Sequence, residues 1–482
     1  MAWVILAYVG ALWAISYWVG RWYGSSTLNT YYVAGRRAHW LWVSYGMVGT
    51  ALSGLTFLGV PASVQSQGWT YLQVVVGYLL GYGIIAWGLL PLYYRYAQAS
   101  IYEYFRHTLG PAAEKTAAVF FLLARGFGSS LRLFLALWAL QPFLNNASLP
   151  LLATLSLALI LLYTLRTGIA AIIYTDFFQT TLFLSAAGIT AALLWPAALR
   201  SDFPWPRILE LQPTHPHFFL KDFLGGALIA LAMTGLDQDQ MQKNLSLPTL
   251  RAAQKNILLY GFLLLPVNML FLFLGSLLWA YAQGKGLVVS HPDRIFAEVV
   301  KREGGLFQIL FVLGVASAAL SSADGTLAAL TTATLRNLLP ARYETLRMKN
   351  ILLLVWTSLF WALMLLYQHL SPKGLVLQTF LKFSGYLYGP LLGLFLFSRL
   401  AVPIREGLVP LGVVGSLGLA VAIEYGLSWD LGYGSIGWIA LGSTGGLWLL
   451  SRAFPKRPHA SAAKHAHTPE ISPDLPQSKS AA

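Results

Sequence analysis

Cysteine is absent from this chain. That excludes disulfides and thiolate metal sites, and it leaves the redox compartment undetermined. Charge is scarce: Asp, Glu, Lys and Arg make up 10% of the 482 residues, against about 25% in a soluble domain. Acidic residues are the rarer sign, 18 against 32 basic ones. The formal charge of +14 would suit nucleic acid, yet no basic patch with interleaved aromatics stands outside the apolar runs, and that partner is set aside. No His-rich cluster falls within those runs, which argues against a membrane-embedded enzyme. His465-Ala466-His467 reads as solvated tail rather than a metal site. No basic leader or small-residue cleavage site precedes Trp3–Trp18, so this stretch reads as a first helix and not a signal peptide.

What the chain does have is apolar sequence. Hydrophobic residues make up 57%, mean hydropathy is +0.61, and apolar runs of about 20 residues recur along almost the whole length. This pattern predicts an all-α polytopic membrane protein; a β-barrel would show alternating segments of about 10 residues instead. Thirteen spans are expected, near 3–20, 40–67, 70–94, 116–144, 149–165, 169–195, 222–237, 257–283, 305–335, 349–369, 374–398, 408–426 and 434–452, with ends placed to about four residues. Residues 1–454 form one transmembrane domain. The tail, 455–482, is rich in Ala, Ser, Pro, His and Lys and is expected to be disordered. With an odd number of spans, 21 of the 32 basic residues fall on one side and 8 on the other. The positive-inside rule then puts the N-terminus outside and the C-terminus in the cytoplasm of a cell-membrane protein.

A few polar residues interrupt the spans. Ser321-Ser322-Ala323-Asp324-Gly325 lies inside Val312–Leu335. Polar oxygens at such depth are costly and usually functional, and hard oxygens suit a small cation such as Na⁺. Ala318, Ser321 and Ser322 are spaced i, i+3, i+4 and share one helix face. The two hydroxyls have a plainer use, bonding back to helix carbonyls one turn earlier. Arg125, Arg132 and Lys382 are the basic residues expected within spans. Asp176 and Asp324 are intramembrane carboxylates, and Asp237 lies where the seventh span ends.

The second span contains Gly46, Gly49, Ser53, Gly54, Gly59 and Pro61, a run that weakens a continuous helix. The seventh, with Gly225, Gly226 and Gly235, is too short to cross unless polar backbone lines a cavity. Small residues also favour close helix packing. Interrupted segments in matching positions of two halves point to a five-plus-five inverted repeat, about 40–195 and 222–398, with discontinuous second and seventh helices.

Ordered motifs carry a resemblance. They begin with Tyr32–Gly35–Arg36–Arg37, Gly49–Thr50–Ala51–Leu52–Ser53–Gly54 and Gly59–Val60–Pro61. Next come Pro91–Leu92–Tyr93–Tyr94–Arg95 with Ser100–Ile101–Tyr102–Glu103–Tyr104–Phe105, and Tyr163–Thr164 with Tyr174–Thr175–Asp176–Phe177–Phe178–Gln179. The loop-like Gly235–Leu236–Asp237–Gln238–Asp239–Gln240–Met241–Gln242–Lys243 follows, then Ala318 with Ser321–Ser322, and Gly389–Pro390. Across about residues 30–400 the set resembles the sodium/solute symporter family.

The resemblance implies a leucine-transporter-like fold and Na⁺-coupled uptake of a small polar solute by alternating access. It implies a Na⁺ held by Gly49, Leu52, Ala318, Ser321 and Ser322, the first two through carbonyls freed by the break. Some relatives hold a second Na⁺ with hydroxyls where this chain has Asp324 and Gly325. Asp176, Ser321 and Asp324 are therefore a candidate second cation or proton site, with an ion pair from Asp324 to Arg125, Arg132 or another buried base as the alternative. The solute site implied between the second, fourth, seventh and eleventh spans gives Ala51, Ser53, Thr56, Gln73, Arg125, Arg132 and Lys382 as candidate contacts. Ala51 is apolar where several relatives are polar, which puts a sugar or proline in doubt, and the arginines lean the reading toward an organic anion. A proton-coupled symporter of the same fold is the alternative function. Oligomeric state is not legible.

Overall fold

The computed structural model describes residues 2–24, 27–97, 99–198, 206–370, 376–426 and 435–455. The expected tail, with His465 and His467, lies outside them. Among the described residues the fold is all-helical, without strands, and each of the thirteen expected segments contains a helix. Among the described residues seven helices are long and apolar enough to cross a membrane, or up to nine if each of two bent pairs counts as one span. Large apolar side chains face outward on them, including Trp3, Trp18, Trp87 and Leu366.

Local chemistry sets the helix ends. Thr249 caps Leu250–Gly284 by accepting the Ala252 N–H at 3.2 Å, satisfying one orphan donor of the first turn. Gly168 separates Leu149–Thr167 from Ile169–Ala198 at φ 54°. A Cβ there would stand 2.4 Å from the Tyr31 ring, so only glycine fits both the conformation and the space.

Both predicted breaks are present. The first separates Trp40–Ala51 from Gly54–Gln67 with a bend of 60°. The second lies between Leu231–Gly235, a π turn ending the helix begun at Phe219–Ala230, and Gln238–Leu245, with a bend of 66°. Pro61 lies within Gly54–Gln67 and is not the breaker.

The first half of the first broken helix, Trp40–Ala51, packs on Ile169–Ala198, which in turn packs on Gly305–Ala333. Its second half, Gly54–Gln67, is anchored by Phe57, whose ring stacks on Phe296 at 5.2 Å and meets Phe183, Phe271 and Phe311. The two breaks are thereby brought to a common centre, lined by Pro111–Leu140 and Gly305–Ala333.

Candidate functional site

At the first break the last helical bond runs from the Leu52 N–H to the Val48 carbonyl, 3.0 Å. Leu52 (φ −91°, ψ 78°) and Ser53 (φ −69°, ψ 174°) then leave the helix. The carbonyls from Gly49 to Leu52 lie past that bond, where a helix end has no partner of its own to offer. Gly49 stands against the Gly305–Ala333 helix: a Cβ on it would lie 3.4 Å from Ser321 Oγ and would collide with Thr180 Oγ1. Carbonyls freed at a break and hydroxyls on the facing helix make an all-oxygen set suited to Na⁺.

The two serines are not engaged as the plain helical reading had it. Ser321 Oγ donates to Asp176 Oδ1 at 2.5 Å. Ser322 Oγ accepts from Arg132 Nη1 at 3.5 Å.

The second break is held by charge. Asp237 caps Gln238–Leu245, accepting the Gln240 N–H at 3.2 Å. Arg125 binds the same carboxylate in two bonds, Nε to Oδ2 at 2.5 Å and Nη2 to Oδ1 at 2.9 Å, and Tyr388 donates its hydroxyl to Oδ2. Arg125 also reaches Asp239 Oδ2 at 3.6 Å. Tyr93 donates to the Gly235 carbonyl at 2.7 Å and Tyr102 to the Leu236 carbonyl at 3.0 Å, covering groups that the break exposes.

Asp324 does not pair with Arg125 or Arg132. Its Oδ2 accepts the Tyr163 hydroxyl at 2.7 Å and its Oδ1 the Gly325 N–H at 2.5 Å, while Arg125 is committed to the second break. Of the three candidates for a second cation site, Asp176 and Ser321 touch and Asp324 turns to Tyr163. Asp176 has a partner that the sequence reading placed in a cytoplasmic loop. Lys243 is buried on Gln238–Leu245 with Nζ 2.7 Å from Asp176 Oδ2 and 2.5 Å from Thr50 Oγ1. The signal was present in the sequence: Asp239 and Lys243 are spaced i, i+4 on one helix face, and they stand 3.8 Å apart.

A cavity of about 110 Å³ opens beside both breaks. Thr50, Ala51, Leu52, Ser53 and Thr56 line one side, and Arg125, Arg132, Gln240 and Asn268 add polar groups with Tyr71, Tyr78, Tyr82 and Tyr260. Ala51, Ser53, Thr56, Arg125 and Arg132 thus meet at one space. The side chain of Lys382 lies outside the described residues.

Gln73 is a correction. Its amide donates to the His217 carbonyl at 3.0 Å and to Asp222, and its oxygen accepts the Glu210 N–H at 2.9 Å. It therefore ties a helix to the 206–218 loop and is not among the cavity's lining residues. In that loop the Gln212 N–H, and then Arg207, hold the Glu210 carboxyl below the usual carboxylate range.

Residues 31–201 match the profile of the sodium:solute symporter family. Among curated relatives, a putative sodium-dependent multivitamin transporter of Drosophila melanogaster is 24% identical over 82% of this chain and 69% of its own length. The human sodium/iodide cotransporter is 26% identical over 89% and 68%. The sodium/sialic acid symporter of Proteus mirabilis is 22% identical over 88% and 89%. A solved Na⁺-coupled sialic acid symporter in a substrate-bound, outward-open state superposes with a TM-score of 0.79 at 18% identity, covering 94% of this chain and 97% of that one. That likeness carries the fold.

Proposed function

We propose that this chain, which matches the sodium:solute symporter family over residues 31–201, is a Na⁺-coupled secondary active symporter that imports a small organic anion by alternating access. The observation that carries the reading is the double use of the first break. The carbonyls of residues 49–52 lie past the last helical bond, Gly49 stands beside Ser321 of Gly305–Ala333, and residues 50–53 line the cavity. An ion bound to one side of this short segment fixes the backbone that the solute meets on the other. That supplies the differential contact any coupling requires.

Gly49, Leu52, Ala318, Ser321 and Ser322 would hold the Na⁺. Ser321 donates its hydroxyl hydrogen bond to Asp176, which leaves its oxygen lone pairs for the cation. In the cavity Arg125 is bound to Asp237, and Arg132 donates to the Ser322 hydroxyl. A carboxylate entering the cavity would meet Arg132 as a charged, bidentate-capable donor, with tyrosine hydroxyls beside it. The topology that goes with this reading has thirteen crossings in residues 1–454, an outside N-terminus and a cytoplasmic C-terminus in the cell membrane. Moving Lys243 out of the loop tally leaves the basic excess on the cytoplasmic side.

Proteoliposomes loaded against an inward Na⁺ gradient test the reading with labelled small carboxylates and matched neutral solutes. Accumulation of a carboxylate that collapses when choline replaces Na⁺ is expected. Uptake that ignores Na⁺ and follows a pH gradient would replace this reading with the proton-coupled one, and uptake confined to neutral solutes would remove the anion.

Two substitutions sharpen the test. Ser322→Ala should raise half-saturating Na⁺ about tenfold, the equivalent of about 1.4 kcal/mol, in a Na⁺ titration of uptake at saturating solute; an unchanged Na⁺ affinity would remove Ser322 from the site. Arg132→Gln should raise the KM for the anion by about tenfold or more, as loss of a charge-assisted bond of about 1.5–3 kcal/mol implies. An unaltered KM would place the anion elsewhere.

A further inference from the structure

We infer that Lys243 is a built-in cation whose ammonium fills the second cation position beside Asp176, so that the chain binds one Na⁺ per cycle and not two. The inference rests on the symporter reading above and fixes its ion stoichiometry.

Asp176 is fully buried on Ile169–Ala198, and a buried carboxylate needs a positive partner or close hydrogen bonds. It has both. Oδ1 accepts the Ser321 hydroxyl at 2.5 Å, and Oδ2 accepts Lys243 Nζ at 2.7 Å and the Thr50 hydroxyl at 3.1 Å. Lys243 Nζ in turn donates to Thr50 Oγ1 at 2.5 Å and faces Asp239 Oδ1 at 3.8 Å. Its oxygen neighbours come from three separate helices: Thr50 from Trp40–Ala51, Asp176 from Ile169–Ala198, and Asp239 from the helix that carries Lys243 itself. Carboxylate and hydroxyl oxygens of this kind are what a hard cation would seek. An ammonium already stands there.

A second, independent observation concerns Gly325. A Cβ at that position would lie 2.4 Å from Asp239 Oδ1 and 3.1 Å from Lys243 Nζ. The missing side chain is the space that Asp239 and the ammonium occupy. A hydroxyl-bearing residue at 325, able to serve as an ion ligand, would push them out. The neighbouring Asp324 carboxylate, the other group available to a second ion, is turned to Tyr163. A mobile Na⁺ at Asp176 would lack both ligands and would meet a like charge beside it. The first site is undisturbed by this arrangement, because Ser321 touches Asp176 through its proton.

The test is Na⁺ binding to the purified full-length protein in detergent, at ionic strength held constant with choline chloride. Bound radioactive Na⁺ is counted per chain, and the Na⁺ dependence of tryptophan fluorescence is fitted for cooperativity. Wild type is expected to bind one Na⁺ with a Hill coefficient of about 1; Lys243→Gln, which vacates the position while keeping Asp176, should bind a second ion and move the coefficient toward its ceiling of about 2. Lys243→Arg should stay with wild type.

Two Na⁺ per wild-type chain would overturn the inference. So would a folded Lys243→Gln protein that still binds one. If Lys243→Gln does not fold, the wild-type count decides alone: one supports the built-in cation and two refutes it. No Na⁺ bound to wild type would instead bring down the Na⁺-symporter reading itself.

Discussion

Methionine at position 125 should cost the protein about 3–5 kcal/mol of stability, the range for stranding one member of a buried ion pair. Arg125 and Asp237 are 4% and 0% exposed, so water cannot replace the guanidinium. The Asp237 carboxylate would keep the Tyr388 hydroxyl and the Gln240 N–H but no positive charge. Because Asp237 also starts the helix after the second break, the loss would spread to the geometry of that break. A large drop in the melting temperature of Arg125→Met in detergent is the expected reading, with transport abolished. The double variant Arg125→Met/Asp237→Leu should recover part of the loss, since no charge is left stranded, minus about 1 kcal/mol for the missing helix cap. An unchanged melting temperature for Arg125→Met would show that the pair does not hold the fold.

The second large effect is steric. Helices Tyr71–Ile84 and Phe219–Ala230 approach backbone to backbone. A Cβ at Gly226 would stand 2.0 Å from the Val74 carbonyl, and a Cβ at Gly77 2.0 Å from the Phe223 carbonyl. Rigid backbone lies on both sides of the contact, so no rotamer change relieves it. Gly226→Ala is expected to cost about 1–3 kcal/mol through overpacking, and Gly226→Leu more, with both lowering thermal stability. The separation would also displace Tyr78, Tyr82 and Ile229, which line the cavity, so solute KM should rise in any Gly226→Ala protein that survives. Gly188 sits in a helix interior where a Cβ would meet nothing within 4 Å. There alanine should leave stability equal or improved by up to about 1 kcal/mol. Equal effects at Gly188 and Gly226 would show that close approach is not what these glycines provide.

Sequence period and composition made much of this architecture legible. The glycine-rich run at 46–54 located the first break to within a few residues, because lost helix propensity is local. The second break was legible only in part. The sequence places a loop after Gly235, since Gln238–Asp239–Gln240–Met241–Gln242–Lys243–Asn244 is polar but for Met241, and polar runs ordinarily seek water. In the structure that run is a buried helix. Several of its polar groups find partners far away in sequence: Gln238 with Ala99 and Ile101, Gln242 with Tyr32 and Thr332, Lys243 with Asp176 and Thr50. Burial of a polar segment depends on what the rest of the fold brings to it, and no local pattern reports that. Gln73 shows the same limit from the other direction: one polar residue deep in an apolar helix invites a ligand, and a neighbouring loop took it instead. Tyr163, which donates to Asp324, is one more partner that only tertiary structure supplies.

The two buried charge contacts at the second break differ in stiffness. Arg125 grips Asp237 through a planar fork with two fixed directions, whereas Lys243 reaches Thr50 and Asp176 through a four-carbon stem with rotatable bonds. The first behaves as a clamp and the second as a tether with slack. If the second broken helix tilts against the first as access alternates, the clamp carries the load while the tether pays out. The ammonium can then stay with Asp176 through a displacement that a rigid pair would not survive, so the site keeps its charge compensated at every stage of the movement.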